Sequence, residues 1–237
     1  MNEFKVSSEL IENYNEYYND NISEWRELGA LDKSKNIISL SANCRHDKVL
    51  EIGCGEGSIL KKLSEQNFAK EYYGLEISET GVEMVNKKKI VGLIECKLFD
   101  GYKIPYQDKE FDFVILSHVV EHVEHPRQIL TEALRVGKTI FIEVPMEHTI
   151  WLKKDFVLDH VGHINFFTPT TIRNLVQTCG YKVLKQIVVT PSLKIHLYLS
   201  KNTGRFKYCF KKIFYFLVPS FATSLFTYNT SLLCESK

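Results

Sequence analysis

Val49-Leu50-Glu51-Ile52-Gly53-Cys54-Gly55-Glu56-Gly57 is the stretch on which the reading of this chain turns. A short apolar run carrying one acid opens directly into three glycines at alternate positions. Such a run reads as a strand buried on both faces, and the glycines mark a turn where backbone must pass close to a ligand. Residues 58–63 then begin a helix whose first amides would face that ligand. Strand, glycine turn and helix together predict a site for a nucleotide-type cofactor.

Spacing narrows the choice of cofactor. A dinucleotide fingerprint needs G-x-G-x-x-G, whose last glycine lets helix and strand pack closely beside a pyrophosphate. Here the third glycine comes one residue early, at 57, and Ser58 stands where the fingerprint needs glycine. Acid-x-Gly-x-Gly-x-Gly resembles the first motif of class I S-adenosylmethionine-dependent methyltransferases. The resemblance continues in order along the chain. Tyr73-Gly74-Leu75-Glu76-Ile77-Ser78 puts an acid at the end of a second strand, 25 residues beyond Glu51. Leu98-Phe99-Asp100-Gly101 puts another after a third. Ile104-Pro105-Tyr106, Phe111-Asp112-Phe113-Val114-Ile115-Leu116-Ser117 and Glu121-His122-Val123 resemble the run found in the small-molecule branch of that family, notably the ubiquinone-biosynthesis-type O-methyltransferases.

The resemblance implies an α/β fold, a Rossmann-like doubly wound seven-stranded sheet, parallel with one antiparallel strand and helices on both faces. It implies S-adenosylmethionine as cofactor: Glu51, Gly53, Cys54 and Gly55 at the methionine part, Glu76 at the ribose, Asp100 and Gly101 at the adenine edge, Ser117 near the sulfonium, and Ile77 as a further cofactor contact. The chain then divides as one domain, 1–237: an N-terminal helical lid over 1–45, a cofactor-binding core over 46–190, a helical insertion over 191–228 and a last strand over 229–237.

Periodicity places the elements. Leu10, Tyr14, Tyr17, Tyr18 and Trp25 predict an amphipathic helix over 7–28, with a second over 32–42. Strands are expected at 48–52, 71–77, 92–97, 111–117, 138–144 and 181–190, the fifth ending at Pro145, with a last one at 230–235. Helices are expected at 57–66, 79–88, 126–135 and 169–180, the last opened by Thr168-Pro169 as N-cap and first residue.

Composition sets bounds. A chain of 237 residues supports one sizeable core, and a net charge of +1 implies no extended nucleic-acid footprint. DNA is not expected as a partner, nor is RNA, since no separate recognition module is attached; a homodimer is left open. The six cysteines include no C-x-x-C pair and read as reduced thiols of a cytoplasmic protein. The N-terminus lacks signal-peptide character. Residues 201–226 are basic and aromatic: Arg205, Lys207, Lys211 and Lys212 are interleaved with Phe206, Tyr208, Phe210, Phe214, Tyr215 and Phe216. Three uses compete for this segment, an insertion covering the active site (favoured), an oligomer or membrane-surface contact, and RNA binding. Its apolar part is too short to span a membrane, and Pro219 interrupts it.

Methyl transfer asks a protein to align acceptor and methyl and to accept a proton. His118, Glu121 and His122 are spaced to share one face of a helical turn beyond the fourth strand. His122, helped by His118, suits a general base for a hydroxyl. In the ubiquinone-type relatives the equivalent turn begins with an acid and can hold a divalent metal; His118 departs from that pattern, so no metal is assigned. His163, in a segment that resembles one of the same branch, is the third candidate to face the acceptor, with a backbone-bonding role equally open. Tyr14 and Tyr18 are possible contributors over the cofactor, and Lys153 and Lys154 possible contacts for an anionic acceptor. The expected reaction is methylation of a small-molecule acceptor at oxygen: a phenol, a sugar hydroxyl or a phosphate-linked group of surface polysaccharide. A nicotinamide-dependent oxidoreductase and a catalytically inactive cofactor-binding regulator are the alternatives.

Overall fold

A computed structural model describes residues 5–18, 23–152 and 162–237. Seven strands form one sheet in the order β3-β2-β1-β4-β5-β7-β6. They are β1 Lys48–Ile52, β2 Glu71–Glu76, β3 Leu93–Leu98, β4 Phe111–Ser117, β5 Gly137–Met146, β6 Tyr181–Val189 and β7 Tyr228–Ser236. The first five run parallel, and β7 inserts antiparallel between β5 and β6. The chain reverses strand order between β1 and β4, which puts the ligand crevice of a doubly wound sheet at their carboxyl ends.

Alternation along each strand feeds two cores. Leu50, Val114, Leu116, Ile140 and Ile142 face α5 (Pro126–Val136) and α6 (Pro169–Thr178). Val49, Phe113, Ile115 and Phe141 face α2 (Ser23–Leu40), α3 (Ser58–Glu65) and α4 (Glu79–Lys87). Adjacent residues thus bury against opposite layers, so both sheet faces are covered and the central strands read as unbroken apolar runs. Each such fully buried side chain contributes roughly 1.5–3 kcal/mol from leaving water.

Two differences from the sequence-based element bounds have physical causes. The leading helix stops early: α1 is Ser8–Tyr17, and a single α2 runs through Gly29 and Asp32. The buried face Ala30, Ser34, Ile37 and Leu40 holds α2 together across its glycine. β5 continues past Pro145, which pairs with Asn229 of β7. The Glu143 carbonyl still accepts from the His118 amide at β4's end. Two residues on, the donor that Pro145 lacks faces the side where β4 has finished, so none is lost. Between β6 and β7 lie three helices, α7 Leu193–Leu199, α8 Gly204–Leu217 and α9 Pro219–Leu225. They fold back on α2: the Ser192 amide donates to Asp32 Oδ2 at 2.7 Å, and Trp25 and Tyr198 rings lie 5.8 Å apart.

Candidate functional site

The turn after β1 passes Gly53 and Gly55 in left-handed backbone, φ 67° and 55°. A Cβ on Gly53 would stand 2.6 Å from Val119, and one on Gly55 2.9 Å from the Tyr18 hydroxyl. Only glycine satisfies both backbone and space here. The Gly53 and Cys54 amides donate to the Leu75 carbonyl, which ties the turn to β2. Glu76, at the end of β2, accepts from the Gly55 amide at 2.7 Å and from the Ile77 and Ser78 amides. Burial raises its pKa, and those three amides oppose the rise. Cys54 is buried with its Sγ 3.6 Å from that of Cys96; this contact and burial push its pKa up, so it stays a thiol.

These groups border a cavity of about 990 Å3 that opens beyond the ends of β1, β4 and β5. Glu51, Gly53, Cys54, Gly55 and Ser117 line it directly. Glu51 Oε2 and Ser117 Oγ are buried with no hydrogen-bond partner among the described residues. Burial drives the Glu51 pKa well up, against the pull of the Lys33 ammonium. Glu76 does not reach the wall, because Tyr18 stands over it. Asp100 and Gly101 lie outside the cavity too. Asp100 Oδ1 accepts from the Tyr102 and Lys103 amides, and its carbonyl accepts from Val6, whose side chain packs onto Gly101. The segment before α1 thus folds over the β3 end of the crevice.

Beyond β4 the expected helical turn does not form, yet Glu121 keeps the predicted triplet together, its carboxylate 3.3 Å from His118 and within 4.8 Å of a His122 ring nitrogen. His118 takes a left-handed conformation, φ 59°, as the chain bends away from the sheet. Its ring sits between two fully buried carboxylates, 3.3 Å from Glu121 Oε1 and 3.6 Å from Glu143 Oε1. Glu143 also accepts from Asn36 at 2.8 Å and Ser231 at 2.6 Å. Burial raises its pKa, yet His118, Ser231 and Lys33 outweigh that, leaving it below the usual range. Burial leaves Glu121 raised despite His118, His163 and Lys33. The His122 ring lies 4.6 Å from that of His163 and 6.1 Å from that of Tyr14. Burial and the neighbouring His163 lower its pKa to about 3, so it is neutral at physiological pH. A base that weak is a poor match to a hydroxyl. His163 Nδ1 is hydrogen-bonded to Glu147, and both line the cavity. Glu121, His122 and His163 each offer one ligand atom, all within 4.8 Å of one another.

The comparisons with known proteins add a family to this geometry. A family model described as a methyltransferase domain matches residues 13–186. This chain is a class I S-adenosylmethionine-dependent methyltransferase. An uncharacterized protein of Methanocaldococcus jannaschii is 27% identical over 71% of this chain and 80% of its own length. The mitochondrial ubiquinone biosynthesis O-methyltransferase of Candida albicans is 25% identical over 55% of this chain and 45% of that protein. The methyltransferase matches its named curated relatives over only about a third to a half of their lengths. A solved S-adenosylmethionine-dependent methyltransferase of Archaeoglobus fulgidus superposes with a TM-score of 0.61 at 20% identity, over 89% of this chain and 94% of that one.

The methyltransferase has residues that fit its donor. Two bare glycines, unpartnered oxygens on Glu51 and Ser117 and the amide-bound Glu76 occupy the strand ends where the fold binds ligands. The sequence alone missed part of the site. On α2 of the methyltransferase, Arg26, Gly29, Lys33 and Asn36 all line the cavity. Their three-and-four spacing is one helix face, a signal present in the sequence but masked by the apolar face beside it. Burial lowers the Lys33 pKa while Glu143, Glu121 and Glu51 oppose the fall. Arg26 stands 3.3 Å from Glu56. Glu147 and Glu143 were also missed. His148 is exposed. Lys153, Lys154, Phe156 and His160 lie outside the described residues.

Proposed function

We propose that this methyltransferase transfers a methyl group to a hydroxyl of a small acceptor, with His163 as general base held by Glu147. The observation that carries the reading is the hydrogen-bonded His163–Glu147 pair on the wall of the same cavity as Glu51 and Ser117. A carboxylate on one imidazole nitrogen fixes the tautomer and strengthens the other nitrogen as a base. About 990 Å3 is the scale of a small-molecule site.

When bound, S-adenosylmethionine supplies a methyl on a positively charged sulfur, and the sulfur departs as a neutral thioether. Glu51, the bare backbone at Gly53 and Gly55, and Cys54 would hold the methionine part. Glu76, with Ile77, would hold the ribose, Asp100 and Gly101 the adenine edge, and Ser117 would border the sulfur. Lys33 and Arg26 extend this set as cations near the methionine carboxylate. His163 takes the acceptor's hydroxyl proton as the oxygen's electron pair forms the new C–O bond. His122, neutral and beside it, positions acceptor or base. His118 is a positioning residue that locks Glu121 and Glu143 beneath the site.

His163→Ala should lower turnover about a hundredfold or more, the usual worth of a general base, with donor affinity within about twofold by calorimetry. The assay is labelled methyl transfer to a panel of phenols, quinols and sugar hydroxyls. Equal turnover in the variant removes the base. A second reading, a divalent cation on Glu121, His122 and His163, is favoured by their mutual distance. It requires loss of turnover on chelation; turnover unchanged by a chelator keeps the dyad.

A further inference from the structure

Helix α8 is amphipathic in the reverse of the usual sense. Its inward face is Gly204, Tyr208, Lys211 and Tyr215. Gly204 lies against the backbone of His196, too close for a side chain. Lys211 Nζ donates to the Thr227 carbonyl at 2.6 Å and lies 4.9 Å over the Tyr228 ring. Its outward face is apolar: Phe206 is 73% exposed, Ile213 61%, Phe216 84% and Leu217 66%. A surface helix of a monomer ordinarily turns such residues inward.

Charge is arranged around that stripe. Successive residues advance by about 100°, so Arg205 and Lys212 fall along one edge of it and Lys207 along the other. All three are exposed. Between Asp159 and Glu235 the sequence contains no Asp or Glu at all. The patch continues onto α9 through Phe221 and onto Trp151, 70% exposed, whose indole Nε1–H is anchored on the Leu225 carbonyl at 2.9 Å. An apolar face with basic edges and an aromatic residue held at its rim is the pattern of a helix lying in a lipid headgroup layer.

We propose that the outward face of α8 and α9 docks this protein onto the surface of an anionic lipid bilayer. Phosphate headgroups supply the negative charge that residues 160–234 lack. A second copy of the chain does not. A twofold contact through this face would set the basic edges of the two copies, Arg205, Lys207 and Lys212, against one another, with no acid among the described residues of the stripe to pair them. Single-stranded RNA asks for successive stacking rings along a basic groove, whereas Ile213 and Leu217, which offer no ring to a base, flank Phe206 along the middle of this face. The inward residues Tyr208 and Lys211 line the cavity, so the docked face and the active site share one helix. Resting on the methyl-transfer reading, this makes the acceptor an amphiphile taken from the bilayer.

Flotation with phosphatidylcholine vesicles containing about one third phosphatidylglycerol tests docking without donor or turnover, so its failure leaves the catalytic reading untouched. The full chain should float with these vesicles, stay behind with pure phosphatidylcholine, and be released as salt screens the basic edges. Trp151 emission should shift to the blue on binding. Arg205→Glu and Lys212→Glu should each weaken partitioning roughly fivefold or more. Phe206→Ser combined with Ile213→Ser and Phe216→Ser should weaken it at least about tenfold. All five side chains are exposed, so melting temperature and donor affinity should hold, which separates lost docking from lost folding. Equal flotation of these variants overturns the proposal, as does absence of the wild type from the vesicle fraction. A wild-type dimer that the triple serine variant dissociates, or retention on oligouridine in place of vesicles, overturns it as well.

Discussion

His122 shows how burial decides what a residue contributes. Its pKa falls from 6.5 to about 3, first because its cation loses water and then because His163 stands beside it. The folded state therefore favours the neutral ring. Stability from this group is complete above pH 6.5 and drains away as pH falls from 6.5 toward 3, where folding must exclude a proton that the unfolded chain accepts. Glu121 works in the opposite direction. Its raised pKa makes protonation easier in the folded state, so lowering pH relieves its burial. The two partly cancel, and only a comparison between variants isolates the histidine. Between pH 6.5 and 5 the wild type should lose about 1–2 kcal/mol more than His122→Gln. Urea unfolding midpoints at each pH read this directly, and parallel pH curves for the two proteins would dismiss the depressed imidazole. The same shift is why the proton acceptor is placed on His163, which the carboxylate of Glu147 supports.

Helix α1 covers part of the proposed donor site. Asn15 Oδ1 accepts from Ser78 Oγ at 2.7 Å and from the Thr80 amide, which pins α1 to the start of α4. Tyr18 then lies over the Gly55 turn and between Glu76 and the cavity. In the proposed mode of binding the donor reaches Glu76 only after this helix lifts, so apparent association scales with the lifted fraction. Asn15→Ala removes one or two hydrogen bonds, about 1 kcal/mol, and should speed donor association roughly fivefold in stopped-flow measurements. An unchanged rate would mean that Tyr18 does not stand in the way. Elements of this kind were the least legible in the sequence. Strands β1, β4 and the helices α3 and α6 were read nearly to the residue, because continuous apolar runs, glycine turns and Thr168-Pro169 are local signals. The division of α1 from α2 was not, since Gly29 and Asp32 look like a break until the buried face of α2 is seen to span them. The helical turn assumed for 118–122 failed because spacing along a chain does not report φ, and His118 is left-handed. Asn36 meets Glu143 across 107 residues, and no local pattern could have announced that contact or the one between His163 and Glu147.

At the scale of the molecule, the cavity is walled by parts that have little else in common. The glycine turn, the end of β4, one face of α2 and the inner residues of α7 and α8 all contribute to it, and the two cores on either side of the sheet support those parts separately. A ligand filling this space bridges both layers at once. Its binding energy should therefore appear in the global unfolding transition and not only in the local order of a loop. At a donor concentration about a hundred times its dissociation constant, the linkage is worth about 2.7 kcal/mol. For a chain of this length each kcal/mol moves the melting temperature by about 2–4 °C, so S-adenosylmethionine should raise it by roughly 5–10 °C. A nicotinamide dinucleotide should leave it in place, because Ser58 occupies the position where a pyrophosphate site needs its third glycine. Calorimetric scans with each ligand decide this. A single transition that shifts only with the sulfonium donor supports a cavity integral to the fold. A donor that shifts one of two separate transitions would instead show the layers unfolding apart, with the site belonging to just one of them.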